Sequence, residues 1–156
     1  MEHEKNTQLE DNQRFVFFEM TDQEIAAMKR FKNYPSRIYF ALQLAFFKAK
    51  QQFYIFDLES VATHVEYLRK RYFPQQIIVA KGADSKPTRL KQQKVILKRY
   101  NYRLADEAIR NRLRNEAALH ARRFASPFFI FQRLLRYMEE QRIVYPAYST
   151  LQLRFR

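Results

Sequence analysis

From Ser36 to Gln51 the chain reads Ser-Arg-Ile-Tyr-Phe-Ala-Leu-Gln-Leu-Ala-Phe-Phe-Lys-Ala-Lys-Gln. Ile38, Phe40, Ala41, Leu42, Leu44, Ala45, Phe46 and Phe47 fall on most of the circumference of a helix. A surface helix keeps a polar side for water, and one apolar almost all round belongs in the middle of a domain. The flanking segments therefore read as helices laid around it. Upstream, Thr21-Asp-Gln-Glu24 is a capping box that opens a helix to about Lys32, with Ile25, Met28 and Phe31 inward. Arg14 to Phe18 is an apolar anchor for that helix. Pro35 and Ser36 restart the chain.

Downstream, Asp57 is placed to cap a helix from Leu58 to Tyr72 that turns Val61, Val65 and Leu68 inward. Pro74 opens a short helical piece through Val79, and Ala80 to Pro87 is a loop. Helices follow over Thr88 to Tyr100 and Leu104 to Phe124. Ser126 and Pro127 start another, to about Gln141, with Phe128, Phe131, Leu134, Leu135 and Met138 as its core stripe. The expected architecture is all-α, a compact multi-helix domain over 14–145 with a helix-turn-helix-like DNA-binding element. Residues 1–13 are expected to form a flexible lead. Residues 146–156 read as a linker and the start of a truncated following segment, capped by Ser149 or Thr150.

Composition narrows the function classes. The 156 residues include 29 Lys and Arg against 16 Asp and Glu, a formal net charge of +13. A hydrophobic content of 47% is too high for a disordered basic tail. One glycine argues against αL corners and a glycine-rich phosphate loop. The lack of cysteine excludes disulfides, thiolate zinc sites and cysteine nucleophiles. No run of about 18 apolar residues is present for a membrane span. The expectation is a soluble cytoplasmic protein associated with the nucleoid.

The charge is concentrated. Arg69 to Arg103 contains 11 basic residues and a single acid, Asp84. A field of one sign over so short a stretch attracts polyanions. Within it, Lys91, Lys94 and Lys98 recur at i, i+3 and i+7, one stripe of a helix, flanked by Arg89 and Arg99. Gln92 and Gln93 lie beside the stripe, while Leu90, Ile96, Leu97 and Tyr100 supply an apolar side. Such a helix fits a major groove, where Lys and Arg meet phosphate or guanine and Gln92 pairs with adenine. Arg69, Lys70, Arg71, Lys81, Lys86 and Arg103 are then expected on flanking phosphates. About six such contacts imply a slope near −5 in log K against log salt.

Catalytic patterns are absent. His3, His64 and His120 lack metal-ligand spacing, and His64 and His120 read as surface or core-edge residues. Glu139-Glu140 and Asp106-Glu107 are adjacent pairs whose members point in different directions on a helix. No serine sits in a nucleophile elbow. No catalytic residue, metal site or cofactor is expected.

Three segments together resemble the N-terminal domain of Tn-three-family transposases, a region catalogued as a domain of unknown function. Arg37-Ile-Tyr-Phe-Ala-Leu-Gln-Leu-Ala45 resembles that family's Arg-Leu-Gly-Phe-Ala-Leu-Gln-Leu stretch. Arg89 to Arg103 is similar to a basic helix ending in Leu-Gly-Phe/Tyr-Arg. Arg142-Ile-Val-Tyr-Pro-Ala-Tyr-Ser-Thr-Leu151 is similar to Arg-Ile-Val-Leu-Pro-Gly-Tyr-Ser-Thr-Leu. Tyr39 and Ala147 stand where glycines are usual, and Asn101 where Gly commonly follows the basic helix. Asn is the next-best αL residue, so that turn is expected to survive. Lys81-Gly-Ala-Asp-Ser-Lys86 replaces the usual Trp-x-Gly-Arg lead.

The resemblance implies recognition of terminal inverted repeats on double-stranded DNA, with the acidic catalytic triad of the family lying outside this chain. Full-length transposase is a second implied partner. Two other readings stay open: a non-catalytic protein-interaction or regulatory fragment, and an RNA-binding helical protein.

Overall fold

A computed structural model describes residues 9–123 and 126–145, and among them seven helices and no strand are found. They are α1 (Asp11–Phe17), α2 (Asp22–Lys29), α3 (Tyr34–Lys50), α4 (Ala62–Tyr72), α5 (Lys86–Tyr100), α6 (Glu107–Ala121) and α7 (Pro127–Glu140). The all-α expectation holds. The chain divides after Ile96 into two compact units, Met1–Ile96 and Leu97–Arg156. Most of the expected lead, and the linker and final cap expected after Tyr145, lie outside the described residues.

In the first unit α3 is the central helix that its composition requires. Every residue from Ile38 to Phe47 is buried, and α1, α2 and α4 pack against it. Burying one large apolar side chain contributes about 1.5–3 kcal/mol, so this helix dominates the unit's stability. Asn33 caps it, accepting the Ser36 amide at 2.9 Å, with Pro35 in the first turn. The Tyr39 and Phe46 rings pack on Phe56, and the Tyr39 hydroxyl accepts the Phe56 amide at 3.0 Å.

The capping box of α2 does a second job. Glu24 Oε1 accepts the Thr21 amide at 2.9 Å, while its Oε2 lies 2.7 Å from Lys48 Nζ of α3. Glu24 is 1% exposed, so the ion pair fastens α2 to α3 away from water. His64, expected at the surface or core edge, is buried; its Nε2 accepts the Leu9 amide at 3.1 Å, and the Phe18 ring meets it edge-on.

Four expectations need correction. Arg14 to Phe18 belongs mostly to α1, and only Phe18 of that anchor is fully buried; Phe15 and Val16 face solvent. Asp57 organises the turn Leu58–Ser60, and α4 starts at Ala62. Pro74 to Val79 is a turn followed by non-helical chain. Its run of Ile77, Ile78 and Val79 is β-branched, which disfavours helix. Finally, αL corners exist without glycine beyond the one expected at Asn101 (φ 57°): Gln51 and Arg142 have φ of 55° and 53°.

The second unit is built on the packing of α6 against α7. Ile109, Leu113, Leu134, Met138 and Ile143 form its core, flanked by half-buried Ile130, Leu135 and Tyr145. Asp106 caps α6 through the Ile109 amide at 2.8 Å, so the helix starts later than the Leu104 expected. Two turns then mirror each other. After α5, Asn101 is αL and the Tyr102 amide reaches back to the Leu97 carbonyl at 3.0 Å. After α7, Arg142 is αL and the Ile143 amide reaches Met138 at 2.9 Å. Both are Schellman closures. The chain leaving them pairs as a parallel bridge between Arg103 and Ile143.

Candidate nucleic-acid interface

Helix α5 starts where Ser85 Oγ accepts the Thr88 amide at 3.4 Å, with Pro87 in its first turn. Its inward side in the first unit is made by Gln92 and Ile96, four residues apart and nearly inaccessible. Helical geometry puts Lys91 and Lys94 on the opposite side, and both are exposed with no ion pair among the described residues. Farther along the same helix, within the second unit, Lys98 and Arg99 are also exposed.

Gln92 is a correction. Expected to read a base, it is 0% exposed and its amide is spent inside the first unit. Gln93 Nε2 donates to Gln43 Oε1 at 3.0 Å, and Gln43 Nε2 donates to Gln92 Oε1 at 2.7 Å. Gln92 Nε2 in turn donates to the Ser36 carbonyl at 2.9 Å and to Asp84 Oδ2 at 3.3 Å. Ser36 Oγ completes the network on Asp84 Oδ1 at 3.1 Å. These bonds clamp α5 to α3 and aim the lysines outward. Burial raises the Asp84 carboxyl above the ordinary aspartate value, opposed by its hydrogen bonds from Ser36 and Gln92 and by the Arg89 charge. Arg89 is half-buried and acts on both Asp84 and the Tyr39 hydroxyl, so it belongs to this inward network rather than to the outer stripe.

The cluster on α4 is less available than its sequence suggests. Arg69 binds both oxygens of Glu66, at 2.7 and 2.9 Å, and donates to the Gln76 carbonyl at 3.1 Å. Arg71 binds both oxygens of Glu19, at 2.9 and 3.0 Å, and that guanidinium holds the Glu19 carboxyl below the usual range. Such paired, bidentate guanidiniums are poor candidates for phosphate. Lys70 is 71% exposed, with Glu66 at 4.0 Å. Lys81 is exposed in the lead to α5, and Lys86 is exposed at its first residue. In the second unit Arg103 is exposed, pairs through its backbone with Arg142 and Val144, and reaches the Gln141 carbonyl at 3.5 Å. Tyr102 lies under the Arg142 guanidinium, 5.9 Å from its ring centre.

Two further aromatics escape the sequence reading. Phe128, assigned to a core stripe, is 63% exposed, and Phe129 beside it 56%. Their i, i+1 placement sends at most one toward a core, and the core of the second unit takes Ile130, Leu134 and Met138 from this helix instead. Among the described residues no group of three His, Asp or Glu could hold a metal ion, and no helix is long and apolar enough to cross a membrane.

A family model described as a domain of unknown function (DUF4158) matches residues 3–154. No curated protein matches. No solved structure matches either.

Proposed function

The chain belongs to the DUF4158 family, and we propose that this member is a non-catalytic module that binds duplex DNA, with α5 as the docking helix of a helix-turn-helix-like element. The observation that carries the reading is the outward face of α5. Lys91 and Lys94 stand opposite buried Gln92 and Ile96, with no carboxylate paired to them among the described residues. A cationic face on a helix locked to its core can meet phosphates at little conformational cost. Lys98, in step with them along the helix, and exposed Lys81, Lys86 and Lys70 add charge of the same sign. Terminal inverted repeats are the proposed target, on the strength of the Tn-three-family resemblance of Arg37–Ala45, Arg89–Arg103 and Arg142–Leu151. The strand chemistry belongs elsewhere in such a transposase.

The test reverses the stripe. Lys91→Glu, Lys94→Glu and Lys98→Glu together should weaken binding to a labelled duplex by at least 100-fold while leaving helicity unchanged. Unchanged affinity in a folded variant removes α5 from the interface. A preference for structured RNA over duplex DNA at matched salt overturns the DNA assignment.

A further inference from the structure

The two mirrored turns of the second unit bring together side chains that the lysine stripe does not use. Asn101, Tyr102, Arg103, Glu140, Gln141 and Arg142 line an open cleft of about 470 Å³. Its geometry is set by main chain: the Arg103 amide donates to the Arg142 carbonyl at 3.1 Å, and the Val144 amide donates to the Arg103 carbonyl at 3.0 Å. Two arginines distant in sequence thus leave adjacent, hydrogen-bonded backbone. One carbonyl steadies each guanidinium. Arg103 donates to Gln141 at 3.5 Å and Arg142 to Tyr100 at 3.0 Å, with the Arg142 guanidinium also over the Tyr102 ring. A guanidinium has five N–H donors, so these contacts orient both forks without filling them. Both arginines are exposed, and neither is ion-paired among the described residues. Glu140 sets a single carboxylate in the lining against the two cations. Arg142 also holds an αL φ of 53°, in a turn that glycine would close at less cost.

We propose that this cleft is a two-arginine clamp for a phosphate group, supplied by the backbone of the DNA that the module binds. For that source the clamp rests on the DNA-binding reading above, and it adds a contact that the second unit makes by itself. Two planar forks meet the oxygens of one phosphate with several charge-assisted hydrogen bonds, which lysine does not reproduce. Because both arginines spring from paired main chain, little ordering is left for the moment of binding. The cleft is open, so the rest of a long ligand can run past it on either side. A free phosphate presents the same chemistry and is the other source to separate.

The test compares the whole chain with its Arg142→Gly variant and its Arg103→Lys, Arg142→Lys variant, helicity and the urea midpoint checking the fold. Glycine suits the αL turn, so Arg142→Gly removes the guanidinium without straining the main chain. It should weaken duplex binding about tenfold and make the slope of log K against log salt shallower by about one. The lysine variant keeps the charge but not the forks, so it should weaken binding by about the same factor with the slope unchanged. A duplex carrying one neutral methylphosphonate, moved stepwise along each strand, should show a position where the wild type loses affinity and Arg142→Gly does not. Calorimetry with inorganic phosphate separates the two sources. Phosphate binding that Arg142→Gly abolishes, with duplex affinity untouched by the variants, would overturn the backbone source and assign the clamp to a free phosphate. If the variants bind duplex and phosphate as the wild type does, the clamp is refuted and the α5 reading stands. If the wild type binds neither, both fail.

Discussion

Gln92 shows how one side chain can be misassigned for a physical reason. An amide beside lysines on a helix looks like a base reader, but its i, i+4 relation to Ile96 puts it on the inward side, where it is 0% exposed. That relation was legible; what was not is that Gln43, Gln93, Ser36 and Asp84 would gather to satisfy the amide. Gln92→Ala should therefore lower stability by about 2 kcal/mol or more, because Gln43 Nε2 loses its acceptor in a buried site. Urea denaturation reads the loss. A variant of native stability with an altered base preference would return Gln92 to the interface. The pairing of Arg71 with Glu19 lies at the opposite limit, since 52 residues separate them and no local pattern announces the contact.

Elements were legible where burial is nearly complete or a cap is written into the chain. α3 is apolar on most of its circumference, and Thr21 accepts the Glu24 amide at the start of α2, whereas the caps Asn33 and Asp106 start α3 and α6 away from the expected Ser36 and Leu104. The αL end of α5 at Asn101 was legible, but those of α3 and α7 were not, because a chain with one glycine was expected to avoid αL turns. Gln51 and Arg142 take that conformation instead, with 5→1 or Schellman hydrogen bonds holding the turns. Asn101 tolerates this conformation better than Gln51 does. Gln51→Gly should accordingly raise stability by about 0.5–1 kcal/mol, measured as an increase in the urea midpoint. A fall would show that the Gln51 side chain contributes more than its backbone costs. The misreading of Phe128 has a different origin from that of Pro74–Val79: an apolar residue on a helix says that burial is favourable, not that a partner surface exists.

At the scale of the molecule, the 11 cations of Arg69–Arg103 are not equivalent. Arg69 and Arg71 are matched by Glu66 and Glu19, and Arg89 faces Asp84. Lys91 and Lys94 have no such match among the described residues, and neither have Lys81 and Lys86. Charge counting along the chain locates the region but does not separate these groups; only the folded arrangement does. Their separation has a consequence in salt dependence, since only cations that neutralise phosphate release counterions. Duplex affinity should be measured across a salt series for the wild type, for Lys91→Gln with Lys94→Gln, and for Arg69→Gln with Arg71→Gln. The slope of log K against log salt should become shallower by about two for the lysine pair and stay unchanged for the arginine pair. A shallower slope for the arginine pair alone would place the DNA on α4 and contradict docking through α5.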